Sequence, residues 1–401
     1  MAGMDRILVA DDQADVCEAL RLLLKNEGFD IDAATSPQSV LEAIGRRSYD
    51  LVLLDMNYTR DTTSGGEGLQ LLSRINQFEN APPVVLMTAW SSVELAVMAM
   101  RNGGYDFVEK PWDNRKLVDT LRRHIGESRS KREQKRMEKI ATQTLHDIDE
   151  ARQAQQRLLP IEMPEGLGLE IRAAWCPADD VGGDYFDVIR LGENLLAICI
   201  ADVSGKGLSA ALVMSNLQAA VRAYARADRL PAEMCSELNR VVCENTDAGR
   251  FITLFYGLLD TARHSLIYAN AGHVPPIVLR SNGVQETLTS GGTVLGLFPD
   301  SLYEHASVSI DPGDHVILLT DGITEAINTL GEQFSENGRM SELLTRNRKL
   351  TSAELRDTLL SAVNSFAGQP LQDDATLMVV SRSSRPWEPD RIDPMRVLRQ
   401  D

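Results

Sequence analysis

LLAICIADVSGKGLSAALVM, residues 195–214, runs from an apolar stretch through Asp202 and a Gly-Lys-Gly turn into an alternating apolar and small-residue segment. It reads as a strand ending on a carboxylate, a tight turn and then a helix. Gly205 and Gly207 flank Lys206 just before that helix. Free N–H groups at a helix start attract an anion, so Lys206 is either a candidate contact for an anion such as phosphate or a solvated lysine in a turn. Working outward, the same strand-edge placement recurs: Asp184 in VGGDYFD, Asp321 in LLTDGITEA, and Asp373 with Asp374 in QDDATLMVV. Asp-Gly pairs are ordinary turn chemistry when met singly. Several carboxylates at strand ends, however, converge readily on hard divalent cations such as Mg²⁺ or Mn²⁺. Two such ions about 3.5–4 Å apart can bind a phosphoryl group and activate water. Gly182 and Gly183 are expected to let the chain turn tightly before Asp184, and His273 in ANAGHVPP is expected to brace a loop rather than bind metal.

Around that segment, residues 165–382 place strand-like runs close together: LEIRAAW, YFDVIRL, LLAICIA, ITLFYGLLD, SLIYANA and PPIVLR. Two helical stretches separate the third run from the fourth, and SAELRDTLLSAVNSFA precedes the last strand. The pattern predicts an α+β layered domain of antiparallel sheet packed with helices.

Residues 5–125 alternate differently. RILVA, LVLLD and VVLMT are short β-rich runs separated by amphipathic stretches such as VCEALRLLLKNEG. That alternation predicts an α/β doubly wound parallel sheet whose site lies beyond the carboxyl ends of its strands. Polar residues fall at those ends: Asp11 and Asp12, Asp55, Thr88 and Lys110. Three carboxylates around one Mg²⁺, with a lysine and a hydroxyl nearby, can support phosphoryl transfer onto a carboxylate. Between the two regions, residues 117–159 are charged, glutamine-rich and nearly free of glycine, with an imperfect heptad through Met137, Ile140, Leu145 and Ile148. A helical connector follows, read either as a parallel dimeric coiled coil or as a solvated single helix.

The 401 residues suffice for two or three domains, and their composition is that of a soluble globular protein. No apolar stretch approaches the ~20 residues of a membrane span. The acidic pair at Asp11 and Asp12 comes too early for a signal peptide. Five scattered cysteines without a C-x-x-C pair point to a reduced, cytoplasmic protein with neither structural zinc nor disulfides. A net charge of −17 argues against nucleic-acid binding, and no basic recognition helix follows the first domain.

With these residues in view, the set DD…LVLLDMN…MTAW…FVEKPW resembles the CheY-like receiver domain of response regulators. The resemblance implies that Asp55 accepts phosphate from a sensor histidine kinase or another phosphodonor. It also implies that Asp11, Asp12, Asp55 and the backbone of Asn57 surround Mg²⁺, and that Thr88, Phe107 and Lys110 form the switch. The loop DMNYTRDTTSGGEGL is longer than the family's usual β3–α3 connection.

ARQAQQRLLP, VGGDYFD, ADVSGKG, ANAGHVPP, LLTDGITEA and DDATLMVV fall in the order seen in SpoIIE/RsbU-type phosphatases, members of the metal-dependent PPM serine/threonine phosphatases. That resemblance implies two Mn²⁺ or Mg²⁺ ions: one on Asp202, Asp321 and Asp374, the other on Asp202, the Val203 carbonyl and, through water, Asp184. These four aspartates are then the catalytic set, and no nucleophilic side chain is needed. The implied substrate is a phosphoserine or phosphothreonine protein, such as an anti-sigma-factor antagonist.

The expected organisation is a receiver at 1–125, a helical linker at 126–160, a phosphatase domain at 161–384 and a polar, mobile tail at 385–401. The chain is expected to act as a homodimer, with neither nucleic acid nor membrane as partner. Two rival readings have their own marks. GGDYF resembles the GGDEF signature of nucleotide cyclases, but too little chain precedes it for that family's upstream half. A catalytically idle, phosphatase-like binding module would leave the aspartates unexplained.

Overall fold

The computed structural model describes residues 4–57, 66–78, 80–88, 93–160, 162–164, 167–247, 249–382 and 395–397, with backbone alone at 93–96 and 395–397. Of the long loop 55–69, residues 58–65 therefore lie outside the described residues, as do Trp90 and most of the tail. The chain forms two compact units, Met1–Gln143 and Thr144–Asp401.

The first unit alternates β1 (Arg6–Ala10), α1 (Ala14–Asn26), β2 (Asp30–Ala34), α2 (Pro37–Arg46), β3 (Leu51–Asp55), α3 (Gly66–Ile75), β4 (Val84–Thr88), α4 (Val93–Arg101) and β5 (Asp106–Glu109). Helix α5 (Asn114–Gln156) follows and runs on into the second unit. The strands pair in parallel in the order β2-β1-β3-β4-β5. Period-two alternation sorts their side chains to opposite faces. Ile7, Val9, Leu51, Leu53, Val85 and Met87 pack with α1 and the start of α5, through Leu20, Leu24, Leu117 and Leu121. Leu8, Val52, Leu54, Val84 and Leu86 pack on the other side with Val40, Leu71, Leu72, Ile75 and Ala99 of α2, α3 and α4. Each such aliphatic side chain contributes roughly 1.5–3 kcal/mol on full burial. Both faces are covered by helices, as the continuous apolar strands require.

The second unit opens with β6 (Leu169–Cys176), β7 (Tyr185–Arg190) and β8 (Leu195–Val203), then α6 (Gly207–Tyr224) and α7 (Pro231–Asn245). Strands β9 (Ile252–Asp260), β10 (Ser265–Ala271), β11 (Ile277–Leu279), β12 (Gln285–Thr287), β13 (Gly291–Gly292), β14 (Ala306–Ser309) and β15 (His315–Leu319) come next. After α8 (Asp321–Thr324), α9 (Arg339–Asn347) and α10 (Ser352–Ala367), β16 (Ala375–Arg382) closes the core, and β17 (Met395–Val397) lies in the tail.

These strands form two sheets, β13-β10-β9-β8-β7 with β14 on β10, and β12-β11-β15-β16-β6-β17. Alternation again decides the layers. Val316, Leu318, Met378 and Val380 share one core with β7, β8 and β9 of the other sheet and with α6 and α7. Their neighbours Ile317, Leu319, Leu377 and Val379 face a second core completed by Leu355, Leu359 and Val363 of α10. The result is helix, sheet, sheet, helix, a sandwich of two sheets with helices outside. The layered α+β expectation is met. Of the tail, only β17 is among the described residues, and it pairs in parallel with β6.

Candidate active sites

In the first unit, β1 and β3 are in register with Ala10 opposite Leu54, so Asp11 and Asp55 reach the carboxyl edge together. Asp11, Asp12 and Asp55 each place a ligand oxygen within 4.8 Å of the others. Lys110 follows β5 and inserts its ammonium among them, 2.6 Å from Asp11 Oδ2 and 3.1 Å from Asp55 Oδ1. The Lys110 backbone N–H donates to the Thr88 carbonyl at 2.8 Å, tying the lysine strand to the hydroxyl strand.

Asp11 and Asp55 are buried, while Asp12 is only partly so. Burial pushes Asp55 up to about 6, with Asp11 adding to the rise and Lys110 opposing it. For Lys110 burial works against the charge, yet the two carboxylates outweigh it and its pKa is raised. Thr88 is buried at the edge, whereas Phe107 on β5 is 44% exposed. Beyond β3, the side-chain Oδ1 of Asn57 is buried without a protein hydrogen bond. Three carboxylates, two of them buried and sharing one ammonium, fit a small divalent cation of the Mg²⁺ kind.

In the second unit the site lies where the ends of the two sheets meet. Tyr185 pairs with Ala201, which sets Asp184 beside Asp202 on the first sheet. On the second, Leu319 opposite Leu377 brings Asp321 and Asp374 to the same end. Two threonines absent from the expected set join the sheets. Thr320 Oγ1 and Thr376 Oγ1 donate to Asp184 Oδ2 at 2.8 and 2.6 Å. Thr320 Oγ1 in turn accepts from the Thr376 N–H at 2.8 Å. The remaining oxygen, Asp184 Oδ1, is buried with no protein partner. Asp374 is held by backbone: Ala178 N–H donates to Oδ1 at 2.8 Å and Gly183 N–H to Oδ2 at 2.5 Å.

Every one of these carboxylates is pushed toward neutrality. Burial, then Asp202 and Asp374, raise Asp184 well above the usual carboxylate range. Burial followed by Asp321, Asp373 and Asp374 lifts Asp202 to about 7, with Lys206 opposing. Asp321 and Asp374 are raised mainly by burial. No three of these oxygens are as close as those of the first unit. An orphaned buried oxygen among mutually repelling carboxylates is nonetheless what a divalent cation relieves.

Lys206 is half exposed; its ammonium donates to the Gln372 carbonyl and lies 3.1 Å from Asp373 Oδ2. It borders a cleft of about 180 Å³ lined also by Asp321, Glu325, Ile327 and Leu371. The glycines before Asp184 act differently from expectation. Neither Gly182 nor Gly183 has a positive φ; a Cβ on Gly182 would fall 2.8 Å from Asp374 Oδ2, so the requirement is room. Gly205 and Gly207 do need their freedom, at φ +100° and +70°. His273 is buried, with Thr253 Oγ1 2.8 Å from Nδ1 and its backbone N–H donating to Asn270 Oδ1 at 2.7 Å. Burial lowers it to about 4, so it is a neutral loop brace. Thr320 and Thr376 were legible only as hydroxyls next to Asp321 and two residues past Asp374, a weak signal within β-rich runs.

Comparison with known proteins identifies the two domains that carry these sites. The family profile for the response regulator receiver domain matches residues 7–122, and that for stage II sporulation protein E (SpoIIE) matches residues 192–383. Phosphoserine phosphatase RsbU of Bacillus subtilis (strain 168) is 31% identical over 259 residues, covering 64% of this chain and 76% of RsbU. Protein IcfG of Synechocystis sp. is 32% identical over 265 residues, 59% of this chain, which spans only 42% of IcfG. The SiaA-PP2C domain of Pseudomonas aeruginosa superposes with a TM-score of 0.52 at 23% identity, over 60% of this chain and 97% of that domain, a likeness of fold. The chain belongs to the SpoIIE/RsbU-type PPM phosphatase family and carries a CheY-like receiver domain at its N-terminal end. GGDYF thus leads into β7 in a chain of this family rather than marking a cyclase.

Proposed function

We propose that phosphorylation of Asp55 controls metal-dependent dephosphorylation of a phosphoserine or phosphothreonine protein. The observation that carries it is the second acidic cluster, where Asp184, Asp202, Asp321 and Asp374 are all pushed toward neutrality and Asp184 Oδ1 lacks a partner. In this reading Asp202, Asp321, Asp374, the Val203 carbonyl and, through water, Asp184 hold two Mn²⁺ or Mg²⁺ ions. Such ions supply Lewis-acid polarisation of a phosphoryl group and activation of water. The chain's own part is to fix those oxygens on the rigid ends of two sheets, with Thr320 and Thr376 orienting Asp184. Lys206 remains a candidate contact for the substrate phosphate. The presence of all four carboxylates at one end of the two sheets favours hydrolysis over an idle binding module.

For the receiver, Asp11, Asp12, Asp55 and the Asn57 backbone would hold Mg²⁺, and a sensor histidine kinase or other phosphodonor would supply the phosphate. Thr88, Phe107 and Lys110 would report its arrival. An anti-sigma-factor antagonist is the substrate class that RsbU-type phosphatases suggest. Exposed Met137, Ile140 and Leu145 along α5 support pairing of two chains through that helix. A cytoplasmic setting fits the five free thiols.

Turnover of a phosphoserine peptide by the full chain, with and without Mn²⁺, tests this. Hydrolysis should require the metal and disappear in Asp202→Asn and Asp321→Asn while both variants stay folded. Near-normal activity in both would reject the two-metal assignment.

A further inference from the structure

We propose that Gln155, in the last turn of α5, is a positioning residue for the acidic site of the second unit. Its side chain is almost entirely buried, at 4% exposure. Gly182 N–H donates to Gln155 Oε1 at 3.0 Å, and Gln155 Nε2 donates to the Gly182 carbonyl at 2.5 Å. One amide therefore satisfies both polar backbone groups of a single glycine, as a neighbouring strand would. Nε2 also lies 3.8 Å from Met214 Sδ of α6. The helix end is itself secured, since Arg152 Nε donates to the Asp180 carbonyl at 2.9 Å and Gln218 Nε2 to that of Leu158 at 3.2 Å.

Gly182 occupies a place from which small shifts reach the site directly. Its α-carbon abuts the Asp374 carboxylate, as the 2.8 Å approach of a notional Cβ to Asp374 Oδ2 shows. The next residue, Gly183, donates its N–H to that same oxygen, and a Cβ there would stand 3.0 Å from the Val203 carbonyl. The residue after that is Asp184. Segment 178–183 thus orients Asp374 from one side and delivers Asp184 on the other, while Gln155 fixes the segment from behind. Removing the amide strands a buried N–H and C=O, so the loop must move or admit water. Groups that orient ligands without touching the ion typically change metal affinity 10–100-fold when lost.

The assignment rests on the reading of Asp184, Asp202, Asp321 and Asp374 as metal ligands. It is tested in the full chain with wild type, Gln155→Ala and Gln155→Glu. Two quantities are read against MnCl₂ concentration: turnover of p-nitrophenyl phosphate, and the rise in melting temperature that the metal induces. Gln155→Ala should raise the half-saturating Mn²⁺ about 10–100-fold and need correspondingly more Mn²⁺ for the thermal rise. Gln155→Glu keeps the shape but turns the donor into an oxygen facing the Gly182 carbonyl, and should shift both in the same direction. If Gln155→Ala does not fold, Gln155→Glu alone decides. Half-saturation within about threefold of wild type, with only a lower metal-free melting temperature, would make Gln155 a packing residue and overturn the assignment. A wild-type chain with neither Mn²⁺-dependent turnover nor an Mn²⁺-induced rise would instead overturn the metal-site reading, and this assignment with it.

Discussion

The receiver and the phosphatase domain both gather carboxylates at strand ends, but they balance that charge in different ways. In the receiver an ammonium is built in, with Lys110 bridging Asp11 and Asp55. In the phosphatase domain the buried oxygens are held by neutral donors: Thr320 and Thr376 on Asp184, backbone N–H groups on Asp374. Lys206, which borders it, is turned toward Asp373 at the rim. A site with its own ammonium suits one divalent ion and a carboxylate that itself accepts the phosphoryl group. A site with neutral donors only leaves more negative charge to be met from outside, as two ions would meet it. On the proposed reading, the difference in charge balance follows a difference in chemistry, a covalent acyl phosphate against hydrolysis.

The sharpest break between the two sites should come at Asp55. Incubation with a small phosphodonor and Mg²⁺ should label the wild-type chain with a base-labile acyl phosphate, and Asp55→Asn should lose that label entirely. Equal labelling would remove the receiver's side of the comparison. Next in size, Thr376→Val removes one of the two hydroxyls on Asp184 without changing its shape. Half-saturating Mn²⁺ in the turnover assay should rise about 10–100-fold; an unchanged value would mean that neutral donors do not set the second site.

Metal-free stability provides a third, smaller contrast. Asp202 has its folded pKa raised from 3.8 to about 7, so its contribution is most favourable below pH 3.8 and is lost as pH rises through 7. Chelated protein at pH 8 should therefore be stabilised by Asp202→Asn, by roughly 1–3 kcal/mol, even as turnover is lost. Denaturant midpoints in EDTA would show it, and a destabilised variant would contradict the charge-excess account. Smallest of all, Lys206→Ala should lower turnover by about fivefold or less, since a half-exposed ammonium contacting the substrate phosphate is worth about 0–1 kcal/mol. A loss of a hundredfold would make Lys206 a substrate contact of the first rank.

The parts of this fold that were legible in the chain are those where chemistry sits at the end of a regular element. Asp11, Asp55, Thr88 and Lys110 each close an apolar run, and parallel pairing carries them to one edge. Asp202 and Asp321 announce themselves in the same way. What was not legible depends on pairing across long separations. Strand β6 lies beside β16, with Ala173 opposite Met378, and no local pattern encodes that partnership. Thr320 and Thr376 are ordinary β-formers until the two sheet ends meet over Asp184. Gly182 looks like a turn glycine, yet its constraint is the Asp374 carboxylate reached from nearly two hundred residues away. The three residues of β17 are too short and too near prolines to show alternation.

The central claim is that the receiver governs the phosphatase domain, and turnover under phosphorylation tests it most directly. Hydrolysis of a phosphoserine peptide in Mn²⁺ should be measured for wild type and Asp55→Asn, each with and without the phosphodonor. The account predicts that the donor changes wild-type turnover and leaves that of Asp55→Asn unaltered. A wild-type rate that stays the same while Asp55 is demonstrably phosphorylated would contradict it.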